Sequence, residues 1–115
     1  MASSDKRRFA PFDDVVVPFP YADRQTERRR HAVVISSRRL DPYDLVWLAM
    51  ITSADNEPWS CDVATPDGAG LPAPPVVRPV KIACVDPSRI ARRTGRLDKA
   101  TARTVSRRLR AFMQE

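Results

Sequence analysis

Leu45-Val46-Trp47-Leu48-Ala49-Met50-Ile51, followed by Thr52, is the longest apolar run in the chain. It is far too short to span a membrane and too short for a long buried helix. Its branched and aromatic side chains instead suit a central β-strand. Two β-branched runs precede it. Asp14-Val15-Val16-Val17-Pro18-Phe19 reads as a first strand, with Pro18 pushing it towards an edge or bulge. His31-Ala32-Val33-Val34-Ile35-Ser36 reads as a second. After the central run, Asn56 to Pro75 is rich in Pro, Gly and Asp, with a short strand expected near Cys61-Asp62-Val63. Val76-Val77-Arg78 and Lys81-Ile82-Ala83-Cys84-Val85 read as two further short strands, or as one interrupted by Pro79.

The period changes towards the end of the chain. Asp98 is a candidate cap for a helix whose apolar positions are Ala102, Val105, Leu109, Phe112 and Met113. Their spacing of three and four residues marks one helical face, and Arg103, Arg107, Arg108 and Arg110 occupy the other. Leu97 is placed to staple against Ala102. Several short strands and one terminal helix predict a mainly β fold, a small barrel with a helix packed on it. Residues 1–11 read as a flexible basic arm, and 12–115 as a single domain.

The 115 residues carry 20 Lys plus Arg against 14 Asp plus Glu, a formal net charge of +6. Arg supplies 17 of those 20 cations. Its planar fork of donors fits phosphate and stacks on bases, so the balance favours a polyanion or an acidic protein as partner. Cys61 and Cys84 are too few and too far apart for a disulfide framework or a zinc site, and their apolar context predicts buried free thiols. The polar start, Met1 to Arg8, lacks the apolar segment of a signal peptide, so a soluble cytoplasmic protein without membrane contact is expected.

The available chemistry is narrow. His31 is the sole histidine, which excludes a mechanism needing two. The three glycines cannot build a phosphate loop, and neither a metal-ligand motif nor an acidic cluster is visible. No metal or other cofactor is therefore expected. Asp13 and Asp14 are adjacent, and adjacent strand residues face opposite sides. Arg28-Arg29-Arg30-His31 follows a loop of about ten residues, long enough to suggest a role. It reads either as a solvated charge run or as a phosphate clamp. Thr52-Ser53 reads either as a strand end or as hydroxyl donors beside a phosphate.

In order along the chain, these segments resemble the PemK/MazF toxins of type II toxin–antitoxin systems. The resemblance rests on Asp13-Asp14-Val15-Val16-Val17-Pro18-Phe19-Pro20-Tyr21, then Arg29-Arg30-His31-Ala32-Val33-Val34-Ile35-Ser36. It continues through Leu48-Ala49-Met50-Ile51-Thr52-Ser53, Gly70-Leu71, Val76-Val77-Arg78-Pro79-Val80-Lys81-Ile82 and the stretch Ser88 to Leu97. It spans roughly residues 12–113. The resemblance implies an SH3-like barrel of the CcdB/PemK kind, a homodimer, and cleavage of single-stranded RNA within a short sequence. It also implies inhibition by a cognate antitoxin whose acidic, flexible tail covers the RNA groove. Arg30 and Thr52 fall on the family's catalytic pair. Arg28, Arg29, Ser53, Arg78 and Lys81 are then candidate RNA-binding residues. Some members add an Arg and an acid two residues later; here these are Arg78 and Val80, so that carboxylate is missing. His31 stands where Pro is usual, and Asp13 where Gly is usual.

The implied reaction uses the 2′-hydroxyl that RNA itself carries. Arg30 and Thr52 would stabilise charge on the phosphate, giving a 2′,3′-cyclic phosphate and a 5′-hydroxyl. The general base stays open. His31 and Asp14 are possible auxiliaries, although strand alternation turns His31 away from Arg30 unless the strand bulges. The same fold without chemistry would be a binding module for nucleic acid or protein, and a gyrase-directed toxin is a third reading.

Overall fold

The computed structural model describes residues 8–19, 28–53, 57–66 and 74–114. Six antiparallel strands form one curled sheet, a half-barrel, followed by a helix. The strands are β1 (Asp13–Phe19), β2 (Arg28–Val34), β3 (Val46–Ser53), β4 (Val63–Ala64), β5 (Pro75–Val85) and β6 (Arg92–Arg96), and the helix is α1 (Lys99–Phe112). Their order across the sheet is β4-β5-β3-β2-β1-β6. The apolar run around Leu48 thus occupies an interior strand, as its composition predicts. Beyond Val16, β1 has no pairing with β6. Pro18 therefore lies past the end of that neighbour, where its missing N–H breaks no ladder on that side.

Alternation sorts the side chains into two cores. One sheet face gathers Phe9, Val15, Val17, Ala32, Val34, Leu48, Met50, Ala83, Val85 and Ile90. The other gathers Val33, Ala49, Ile51, Val63 and Val77 beneath Val105 of α1, with Phe12, Ile35, Leu97 and Leu109 at its margin. Asp98 caps α1 as expected, its carboxylate accepting the Thr101 N–H at 3.1 Å. Hydrogen bonding from Thr101 holds that carboxyl below its ordinary range. The predicted apolar stripe divides: Ala102 and Val105 are buried, whereas Phe112 and Met113 are exposed.

Three expectations need adjustment. Residues 1–7 of the predicted arm lie outside the described residues, but Phe9 is buried in the first core and the Ala10 N–H donates to Asp13. Cys84 is exposed and Cys61 only partly covered, against the expectation of two buried thiols. Cys84 pairs with Trp47 on the face that α1 covers elsewhere, and the helix does not reach that level. The region 75–85 is one strand, with a bulge rather than a break at Pro79. Ala49 pairs with Ile82 and Met50 with Arg78, so Pro79-Val80-Lys81 has no counterpart on β3. Among the described residues no helix is long and apolar enough to cross a membrane.

The sheet divides at that same level. β2 and β3 pair from Val34–Leu48 to Ala32–Met50 and no further. Beyond it β2 stays with β1 as far as Phe19–Arg28, and β3 stays with β5 as far as Ser53–Pro75. A bulge bends the strand that carries it and increases its twist. The bulge in β5 thus accompanies the splitting of one sheet into two diverging pairs.

Candidate active site

A cavity of about 360 Å³ occupies the gap between the diverging strands, lined by Asp14, Arg29, Arg30, His31, Ile51, Thr52, Ser53 and Pro75. Three consecutive residues of β2 and three of β3 border it. This corrects the expectation that alternation would separate His31 from Arg30. Alternation still puts the two side chains on opposite faces, but where β2 loses β3 the opening reaches both faces.

Extending the β2–β3 register by two residues brings Arg30 level with Thr52 across the gap. Arg30 pairs with Val17 on β1, and it shares the face of the buried Ala32. Its Nε is buried and has no hydrogen-bond partner among the described residues. An unsatisfied buried donor costs about 1–3 kcal/mol, so the fold maintains a desolvated cationic donor beside an open cavity.

On the other face, Asp14 and His31 form a diagonal cross-strand pair. His31 Nδ1 lies 2.9 Å from Asp14 Oδ1. Thr94 of β6 donates its hydroxyl to the same carboxylate oxygen at 3.1 Å and to the Asp14 carbonyl. Asp13 points the opposite way, as alternation requires. It is only 2 % exposed and meets Arg93 at 3.5 Å and Arg96 at 3.3 Å.

Of the predicted RNA contacts, Arg29 and Ser53 line the cavity with Arg30 and Thr52. The side chain of Arg28 lies outside the described residues, as do loop residues 20–27 and 67–73. Arg78 and Lys81 are not among the lining residues. The Arg78 guanidinium is buried, donates to both Asp62 oxygens at 2.9 Å and to the Glu57 carbonyl, and lies 4.2 Å from the centre of the Trp59 ring. The paired carboxylate raises the Arg78 pKa, and the Arg78 hydrogen bond lowers that of Asp62. The Nε and Nη2 edge of this guanidinium is thus filled by the protein itself. Lys81 lies 5.7 Å from the same ring. Val80 sits exposed in the bulge and carries no titratable group. Among the described residues no three His, Cys, Asp or Glu side chains come together as a metal cluster would require.

Sequence reasoning missed Thr94. The stretch Arg92-Arg93-Thr94-Gly95-Arg96 has no apolar alternation to mark it as a strand.

Comparison with solved structures gives the same fold. The MazF toxin of Deinococcus radiodurans superposes with a TM-score of 0.71 at 22 % identity, over 89 % of this chain and 93 % of that one. A mycobacterial endoribonuclease, solved in complex with its cognate antitoxin, gives 0.70 at 12 % identity, over 94 % and 100 %. The Mycobacterium tuberculosis toxin MazF-mt6 gives 0.63 at 16 % identity, over 84 % and 91 %. No curated protein sequence matches the chain. The family model for PemK-like, MazF-like toxins matches residues 11–113. The match takes in both core faces apart from Phe9 and every described residue of the cavity, and the chain belongs to the PemK-like, MazF-like toxins of type II toxin–antitoxin systems.

Proposed function

We propose that this toxin is a sequence-specific endoribonuclease that cleaves single-stranded RNA through its 2′-hydroxyl, without a metal, and so inhibits translation and growth. The observation that carries the reading is the desolvated Arg30 bordering one cavity with Thr52. A phosphate in that gap would meet the guanidinium fork and a hydroxyl as negative charge grows on its non-bridging oxygens. Arg29 and Ser53 add a second cation and hydroxyl for the neighbouring backbone. The reaction leaves a 2′,3′-cyclic phosphate and a 5′-hydroxyl. The protein acts in the cytoplasm as a homodimer held in check by an antitoxin with an acidic, flexible tail.

Incubation of the purified chain with a long single-stranded RNA in excess EDTA tests the reading. Fragments ending in cyclic phosphate are expected. RNA left intact, with or without EDTA, would turn the assignment towards a binding module without chemistry. Trapped gyrase–DNA complexes would turn it towards a gyrase poison.

A further inference from the structure

Among the described residues lining the cavity, one is an imidazole, the side chain best matched to remove a proton near neutral pH. Its titratable linings are Asp14, Arg29, Arg30 and His31. Arg stays protonated and cannot serve as a base. Asp14 Oδ1 is already engaged by His31 and by the Thr94 hydroxyl. Histidine is the side chain whose ordinary charge change falls between pH 5 and 8.

We infer that His31 is the general base of the cleavage step, with Asp14 and Thr94 as its positioning residues. The inference rests on the nuclease reading above. A carboxylate oxygen can only accept, so Nδ1 donates to Asp14 and the lone pair resides on Nε2. Thr94 anchors the carboxylate from the far side of β1, so three strands fix the orientation of one ring. The ring is 52 % exposed and the Asp14 side chain 28 %, leaving the imidazole accessible to a substrate.

The step balances as follows. The 2′-hydroxyl proton passes to His31 Nε2 while the 2′-oxygen forms a bond to phosphorus. The bond from phosphorus to the 5′-oxygen breaks, and that oxygen takes a proton from water. The imidazolium then returns its proton to solvent. Arg30 and Thr52 bind the non-bridging oxygens throughout. Other charged or polar groups around the ring are Arg29 and Arg30 on β2 and Thr52 and Ser53 on β3. On β6, Arg92 pairs with the same Val16 that His31 faces, and Arg93 with Val15.

The test compares wild type with His31→Asn over a range of pH, using an RNA oligonucleotide that spans a mapped cut. The Asn amide keeps a donor for Asp14 and lacks Nε2. A loss in kcat of about 100-fold or more is expected. KM should barely change, and the acidic limb of the wild-type pH–rate profile should vanish. Asp14→Asn should also lower kcat, because the ring loses its fixed tautomer. Since His31 is the sole histidine, diethyl pyrocarbonate offers a second measurement on unaltered protein. Inactivation reversed by hydroxylamine, and prevented by a 2′-deoxy analogue of the oligonucleotide, supports the assignment. A His31→Asn protein that retains wild-type kcat and the acidic limb overturns it, leaving a cross-strand pair that only joins β1 to β2. Wild-type protein that never cleaves RNA overturns the nuclease reading and this inference together.

Discussion

Arg30 and Arg78 are identical in chemistry and opposite in use. Arg78 is surrounded by acceptors of its own chain, whereas Arg30 has a buried Nε with no partner among the described residues. The first guanidinium is occupied by its own chain, and the second leaves a buried donor at the border of the cavity. Arg30→Ala and Thr52→Ala are each expected to reduce RNA cleavage by about 100- to 1,000-fold without unfolding the protein. Arg30→Lys should fail largely as well, since a point charge cannot replace the fork. Full cleavage by these variants, with normal circular dichroism, would remove the site. Arg78→Ala should act on stability instead, costing about 3 kcal/mol by leaving the largely covered Asp62 carboxylate without its cation. The Asp62 carboxyl is held below its ordinary value of 3.8, chiefly by hydrogen bonding from Arg78. A carboxyl lowered by folding stabilises the fold above its unfolded pKa, and that contribution is lost as pH falls through the folded value. Asp62→Asn should therefore be markedly less stable than wild type near neutrality. The gap should narrow as pH drops below about 4. Urea melts across that range check the sign: a gap that stays constant or widens in acid would contradict it.

Helix α1 protects one stretch of the sheet and leaves the next bare. Val105 is fully buried against Val77 and Ile51, while Phe112, one turn past the margin residue Leu109, is exposed. Val105→Ala should cost about 2 kcal/mol in a urea melt, and Phe112→Ala almost nothing. Equal losses at both positions would mean that the helix docks along its whole apolar stripe. That stripe, the Asp98 cap and the three apolar strands were legible because period and capping are local properties of the sequence. The bulge was half legible: Pro79 marked an interruption, but its effect depends on what β3 does opposite it. Strand β6 was illegible, since Arg and Gly carry no strand signal and its place depends on Asp13, some eighty residues earlier, binding Arg96. The active-site candidates Arg30 and Thr52 were readable through the family resemblance. The inclusion of His31 was not, because alternation gives the face a side chain takes and not the place where the sheet opens. Arg78 illustrates the opposite failure: a sequence shows a cation and hides the Asp62 that consumes it.

The assembled molecule exposes two surfaces of different character. Trp47 at 42 % and Ile82 at 51 % exposure lie on adjacent paired strands beside Cys84, forming an apolar area beyond the reach of α1. Such an area suits a second copy of the chain. Light scattering at micromolar concentration should give twice the 13.0 kDa chain mass, and Trp47→Glu should give the monomer; a wild-type monomer would exclude the homodimer. The cavity between β2 and β3 is the other surface, bordered by the exposed Arg29 and the partly buried Arg30. RNA phosphate and an acidic antitoxin tail would both seek those cations, so the two ligands should exclude one another. Arg78 should contribute to neither, because Asp62 already neutralises it. Salt separates the two ligands. RNA affinity arises mainly from phosphate neutralisation and release of counterions, and falls steeply as salt rises. A protein tail adds apolar contacts that salt does not screen, while its charge pairs weaken over a screening length of about 8–10 Å near physiological ionic strength. On the Thr52→Ala protein, which should bind RNA without cutting it, the logarithm of RNA affinity should fall more steeply with the logarithm of salt than that of an antitoxin peptide. Increasing peptide should displace labelled RNA completely at each salt concentration. Simultaneous binding of both ligands would move the inhibitory site away from Arg29 and Arg30, and equal salt slopes would mean that the tail is held by charge alone.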